Sequence, residues 1–221
     1  MSQVDARTHF GSLTADDVAR LDRAAIDSGV SVTQLMEVAG FQVARLAWQL
    51  LGGLPGRVTA VAGKGNNGGD ALVAARMLEA WGCDVRTAPA EGEDIESIAR
   101  DSALLIDGIL GTGLRTPPRE PQASVIRAMN ARGIPTLAID VPSGMDASSG
   151  EIFDPCIRAV ATCTLAAMKA GLWTSAARSV AGDVWAADIG MPRAAWHAAG
   201  LEPPAGLRGG ALLSVASATL Y

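Results

Sequence analysis

Hydrophobic residues recur every three or four positions early in the chain and then gather into short unbroken runs. Thr14 followed by Asp17 makes a near capping box, and Val18, Leu21 and Ala25 continue at helical spacing with Asp22 and Arg23 outward. Gly29 ends that helix. Ser31 and Gln34 make a second capping box, and Met36, Ala39, Val43, Leu46 and Leu50 form one apolar stripe of a longer helix that stops at Gly52 and Gly53. From Arg57 onward the pattern alternates. Short apolar runs predict strands at 57–62, 84–88, 102–107, 135–140, 158–165 and 183–188, and intervening stretches predict helices at 69–81, 94–101 and 121–132.

Alternation of this kind implies an α/β fold: a Rossmann-like, doubly wound, mostly parallel sheet with helices on both faces and an N-terminal helical prefix. The runs 102–107 and 135–140 are almost wholly apolar, as expected of strands covered on both faces. Residues 1–12 read as a disordered N-terminus, 13–200 as one domain, and 201–221 as a tail or linker beginning near the breaker cluster Glu202-Pro203-Pro204-Ala205-Gly206. The prefix helices have two uses open to them, covering a sheet face or meeting a partner subunit.

The candidate chemistry sits at the strand ends. The first strand runs into Gly63-Lys64-Gly65-Asn66-Asn67-Gly68-Gly69-Asp70, which contains G-x-G-x-x-G spacing just before a helix, a setting that aims backbone amides at an anion. Later strands lead into Asp107-Gly108-Ile109-Leu110-Gly111-Thr112-Gly113, Asp140-Val141-Pro142-Ser143 and Lys169-Ala170-Gly171. In a parallel sheet all carboxyl ends share one edge, so these loops converge. Each residue also has a plainer reading. Asn66 and Asn67 suit turns, Asp70 complements a helix dipole, Ser143 suits a turn, and a lone lysine such as Lys169 is usually solvated. Two carboxylates ending two apolar strands, Asp107 and Asp140, are costly to desolvate without a ligand or cation.

Several classes of function fall away. The loop ends in Gly69-Asp70, not the G-K-[ST] of a Walker A motif. The acidic residue that would hold a ribose in a hydride-transfer enzyme is at best Glu91, poorly placed. His9 and His197 lie outside every loop, and Cys83, Cys156 and Cys163 form no paired motif, so reduced thiols are expected and a transition-metal site is not. What remains is an oxygen-rich pocket suited to a hard cation such as potassium or magnesium. A net charge of −5 argues against a nucleic-acid partner. With no signal-like or membrane-length apolar run, a soluble cytoplasmic protein with no membrane partner is expected.

Taken together, the loops at Gly63–Asp70, Asp107–Leu114, Ile139–Asp146 and Lys169–Leu172, with the helical lead-in Leu35–Gly40, resemble the NAD(P)H-hydrate epimerases, the YjeF N-terminal domain family. The likeness runs from about Leu13 to Pro192. It implies repair of hydrated nicotinamide cofactors: the R and S epimers of NADHX and NADPHX are interconverted, and a separate ATP- or ADP-dependent dehydratase consumes the S form. By motif, it implies phosphate-cradling and substrate contacts at Asn66, Asn67, Gly68, Gly69 and Asp70 and at Gly111, Thr112, Gly113, Leu114, Arg115, Thr116 and Pro117, with a further contact at Asp140. It implies one potassium ion per subunit on Asn67, Asp107 and Ser143, and it agrees with a homodimer. Asp140 is the expected general acid–base group, with Lys169 stabilising an anion or tuning it. Lys64 replaces a common proline, Ala71 a frequent glycine, and Arg115–Glu120 depart from the family pattern. No dehydratase segment follows, so a free-standing epimerase or an excised domain is expected. The alternative is a non-catalytic nucleotide-binding or scaffold domain of the same fold, against which the intact Asn67, Asp107, Asp140 and Ser143 weigh.

Overall fold

The computed structural model describes residues 3–91, Ile95 and residues 99–215. Three helices come first: α1 (Gln3–Phe10), α2 (Ala15–Asp27) and α3 (Val32–Leu50). The chain continues through β1 (Arg57–Ala62), α4 (Asn66–Ala80), β2 (Asp84–Pro89), β3 (Leu104–Gly108), α5 (Gln122–Ala131), β4 (Thr136–Ile139), β5 (Ala161–Leu165), β6 (Asp183–Ala187), α6 (Arg193–Ala198) and β7 (Leu212–Ser214). The strands form one seven-stranded sheet in the order β2-β1-β3-β4-β5-β6-β7. All pairs are parallel except β6 with β7. The winding reverses at β1, with β2 on one side and β3 on the other, and ligands in such sheets bind at that reversal, beyond the carboxyl ends.

Both expected capping boxes form. Thr14 accepts from the Asp17 amide and Ser31 from the Gln34 amide, while the Asp17 and Gln34 side chains reach back to the cap amides. On one face of the sheet, α3 and α4 bury Val43, Leu46, Ala74 and Leu78 against Val58, Ile106, Ile139 and Cys163. On the other, Val125, Ile126 and Met129 of α5 pack with Ile95 and Ala99 against Val61 and Leu105. Of the helix expected at 94–101, residues 94 and 96–98 lie outside the described residues; Ile95 is helical and residues 99–101 form a turn.

The prefix is where the reading by sequence and the structure differ most. Within the stretch before Leu13, expected to be disordered, Gln3–Phe10 form α1, whose Phe10 is fully buried against Val141, Met145 and Met168. The segment after Leu201 adds β7 to the sheet, and Leu207 and Val215 enter the same cluster. The prefix helices serve the chain's own fold. α3 lies on the sheet face, whereas α2 sits over the carboxyl edge, packing Leu21 and Ala25 against Ala167 and Trp196. α2 therefore roofs the region into which the loops project.

Candidate active site

α4 begins three residues earlier than its periodicity suggests, so Asn66, Asn67, Gly68 and Gly69 are its first turn and not a free loop. Its cap residue, Gly65, makes no side-chain cap bond, so the first-turn amides are open to a ligand. Two loop glycines answer to close approach. A Cβ at Gly63 would collide with the Ile109 carbonyl, and one at Gly68 with the Gly63 carbonyl. The first strand, the helix start and the loop after β3 are thereby pressed together.

Asp107 and Ser143 meet, and the Leu110 carbonyl, which accepts from both Ser143 and Asn67, joins Asn67 to them. Asp107 is fully buried; its Oδ2 accepts from the Ser143 amide at 2.8 Å, and its Oδ1 from the Ser143 hydroxyl at 2.6 Å and the Ile109 amide at 3.2 Å. The Asn67 Nδ2 donates to the Leu110 carbonyl at 3.0 Å, which leaves the Asn67 carbonyl oxygen to other partners. Burial raises the Asp107 carboxyl to about 6 against the pull of those three hydrogen bonds. Among the described residues no basic side chain pairs with it. An oxygen-rich cluster around a buried carboxylate without a counter-charge is chemistry a potassium ion fits.

Asp140 and Lys169 form the second cluster. Lys169 is no solvated surface residue: it is 1% exposed, ion-paired with Asp140 Oδ1, and donates to the carbonyls of Leu165 (2.6 Å) and Ala167 (3.2 Å). Asp140 Oδ1 also accepts from the Leu165 amide at 3.0 Å. The backbone here is unusual. Asp140 (φ 67°) is the centre of a three-residue turn closed by Val141 N–H to the Ile139 carbonyl. Ala166 (φ 62°) is the centre of a matching turn closed by Ala167 N–H to the Leu165 carbonyl. These are the strained form of γ-turn, at the ends of two adjacent strands, and side-chain-bearing residues persist there only when their surroundings hold them.

A cleft opens between this edge and the roof, walled by Asn66, Asn67, Asp70, Gly111, Thr112, Asp140 and Lys169 below and by Leu13, Leu21, Asp22, Leu35 and Met36 above. A second cleft, lined by Lys64, Gly65, Glu91, Leu110 and Gly113, shares Asn66, Asn67, Gly111 and Thr112 with the first. One ligand with a ring in the first and phosphates over the helix start could span both.

Not every expected contact lies on these walls. Asp70 belongs to the second turn of α4 and lines the Asp140 cleft, not the second cleft at the helix start. Gly68 and Gly69 line neither cleft: Gly68 packs on Gly63, and Gly69 on Met36. Leu114, Arg115, Thr116 and Pro117 also lie beyond both. The Arg115 guanidinium turns back to the carbonyls of Thr112 and Leu114 and to Asp16. Glu91, the poorly placed ribose candidate, pairs with Lys64 at 3.5 Å. Asp22, assigned outward from its helical position, points into the cleft instead. No local signal marks this, because periodicity buries Leu21 without saying that Ala167 and Trp196 at the sheet edge are what it packs against.

Known proteins resemble this chain over most of its length. The family described as YjeF-related protein N-terminus matches residues 32–101 and 86–171. An NAD(P)H-hydrate epimerase of Cenarchaeum symbiosum is 40% identical, over 72% of this chain and 85% of the relative. One from Pirellula staleyi is 37% identical, over 75% and 86%. The bifunctional NAD(P)H-hydrate repair enzyme Nnr of Pyrobaculum aerophilum is 36% identical over 82% of this chain, which spans only 42% of that protein. A crystal structure of the yeast protein ynu0 superposes with a TM-score of 0.78 at 24% identity, covering 92% of this chain and 99% of that one, and so shares the fold.

Proposed function

The chain belongs to the YjeF N-terminal family of NAD(P)H-hydrate epimerases, and on that premise we propose how its cleft interconverts the R and S forms of NADHX and NADPHX. The observation that carries the reading is the convergence of Asn67, Asp140 and Lys169 on one cleft that continues over the uncapped start of α4. The cofactor phosphates lie against the α4 amides and Gly111–Gly113, where the helix dipole favours negative charge. The hydrated nicotinamide ring lies toward Asp140. Inversion at C6 requires the C–O bond to the hydroxyl to open and re-form on the other face. Asp140 is the general acid–base group, held in orientation by Lys169 and the Leu165 amide.

A potassium ion on Asn67, Asp107 and Ser143 would supply a fixed positive charge that offsets the buried Asp107 carboxylate and holds the β3 and β4 loops in register. Titrating potassium chloride against a bulky organic cation, at constant ionic strength, should raise turnover to a plateau; a flat response removes the ion. Nnr relatives carry a second activity in the same polypeptide, and a dehydratase acting on the S epimer is the functional partner of this chain. The protein works in the cytoplasm, where its buried thiols Cys83, Cys156 and Cys163 remain reduced; no helix among the described residues is long and apolar enough to cross a membrane. Val38 and Phe41 of α3 are exposed and suit a homodimer contact.

The test adds this protein to mixed NADHX epimers with an S-specific dehydratase. Complete consumption supports the reading, and a persistent R fraction equal to the control overturns it. Asp140→Asn should bind the cofactor yet turn over about a hundredfold or more slower; full turnover in that variant takes Asp140 out of the chemistry.

A further inference from the structure

Asp70, like Asp22, takes none of the described hydrogen bonds or ion pairs, but of the two only Asp70 is buried. It is 7% exposed and lines the Asp140 cleft. Its oxygens are nevertheless not sealed in protein, because no fully buried side-chain oxygen or nitrogen among the described residues lacks a partner. The carboxyl therefore meets the cleft and whatever fills it. The groups facing it are Asp22 from α2, Asp140 after β4, Lys169 after β5, and Cys163 within β5. The α3 wall of the cleft, Val32, Leu35, Met36 and Ala39, is apolar.

We propose that Asp70 is a second catalytic residue of the epimerase: a carboxylic acid that protonates the departing C6 hydroxyl, while Asp140, on the same cleft, takes the proton of the returning water. The proposal rests on the epimerase reading and assigns the two carboxyl groups different duties. Burial first, and then the negative charges of Asp140 and Asp22, push Asp70 up to about 8, with Lys169 opposing them. Asp70 thus keeps its proton at neutral pH, whereas Asp140 is salt-bridged to Lys169. A carboxyl that holds its proton, beside one ion-paired to a lysine, supplies an acid and a base to the same cleft. In the forward step the C6–O bond breaks with its electron pair on oxygen. The Asp70 proton completes a water molecule, and the ring nitrogen lone pair closes a C6–N double bond. Water then adds from the other face, the electron pair returns to nitrogen, and the proton of that water passes to Asp140. Exchange between the carboxyl groups through water in the cleft returns the proton to Asp70. In the reverse direction the roles invert.

Asp22 acts through Asp70 as a positioning residue, since its charge helps keep the Asp70 proton in place.

Two measurements decide this, one of them independent of turnover. Carbon-13 NMR of aspartate-labelled protein should show one carboxyl resonance, absent from Asp70→Asn, that titrates near pH 8. In the coupled assay kcat/KM should fall as pH rises through about 8. Asp70→Asn should lose at least about a hundredfold in kcat and lose that alkaline limb. Asp22→Asn should move the limb to lower pH. An Asp70→Asn enzyme within threefold of wild type, or an Asp70 resonance titrating near 4, overturns the proposal. Wild-type protein that leaves the R epimer untouched overturns the epimerase reading instead, and the carboxyl titration then decides the state of Asp70 by itself.

Discussion

Asp70 and Asp107 are both carboxyl groups removed from water at the same edge of the sheet, and they are held in opposite ways. Asp107 takes three hydrogen bonds from Ser143 and Ile109, and those bonds oppose what burial costs it, although burial still prevails. Asp70 takes none, and two further carboxylates press on it. The loops around Asp107 would not close without its charge or its hydrogen bonds, so it is part of the frame. Asp70 gives the frame nothing in return for its desolvation. Groups of that kind are retained where chemistry needs them, at a cost in stability.

The comparison breaks most readily at Asp107. Asp107→Ala leaves the Ser143 and Ile109 amides inside the protein without an acceptor, and should lower the unfolding free energy by about 3 kcal/mol in urea denaturation, with loss of epimerase activity. The opposite sign is expected at Asp70. Its carboxyl is raised from 3.8 to about 8, so between those pH values the folded protein holds a proton that the unfolded chain has released. Asp70's contribution to stability is therefore fully present below pH 4 and is lost progressively as pH rises to 8. Asp70→Asn should flatten that decline and be more stable than wild type at pH 8, by on the order of a few kcal/mol; a variant less stable there would mean that Asp70 is framework after all. The smallest effect concerns the strained turns. Ala166→Gly relieves a positive φ at the price of backbone freedom, and should raise stability by up to about 1 kcal/mol while loosening the Lys169 carbonyl cradle. A thermal melt with a parallel turnover measurement reads both.

The amino-acid sequence by itself determined the α/β alternation, both capping boxes, and the four loops that end β1, β3, β4 and β5, because periodicity and turn chemistry are local and a parallel sheet sends every carboxyl end to one edge. The grouping of Asn67 with Asp107 and Ser143 came from the family resemblance, not from residue types or spacing alone. The direction of individual side chains was decided by tertiary packing. Periodicity says that Leu21 is buried but not against what. Only when α2 lies across the sheet edge does Asp22 become part of the cleft, and only when Asp140 adopts its left-handed turn does buried Lys169 find its partner. Likewise Asp70 reads as a helix-start charge until α4 is found to begin at Asn66, which turns it one step further into the cleft. These are consequences of contacts between residues distant in the chain, and no local pattern encodes them.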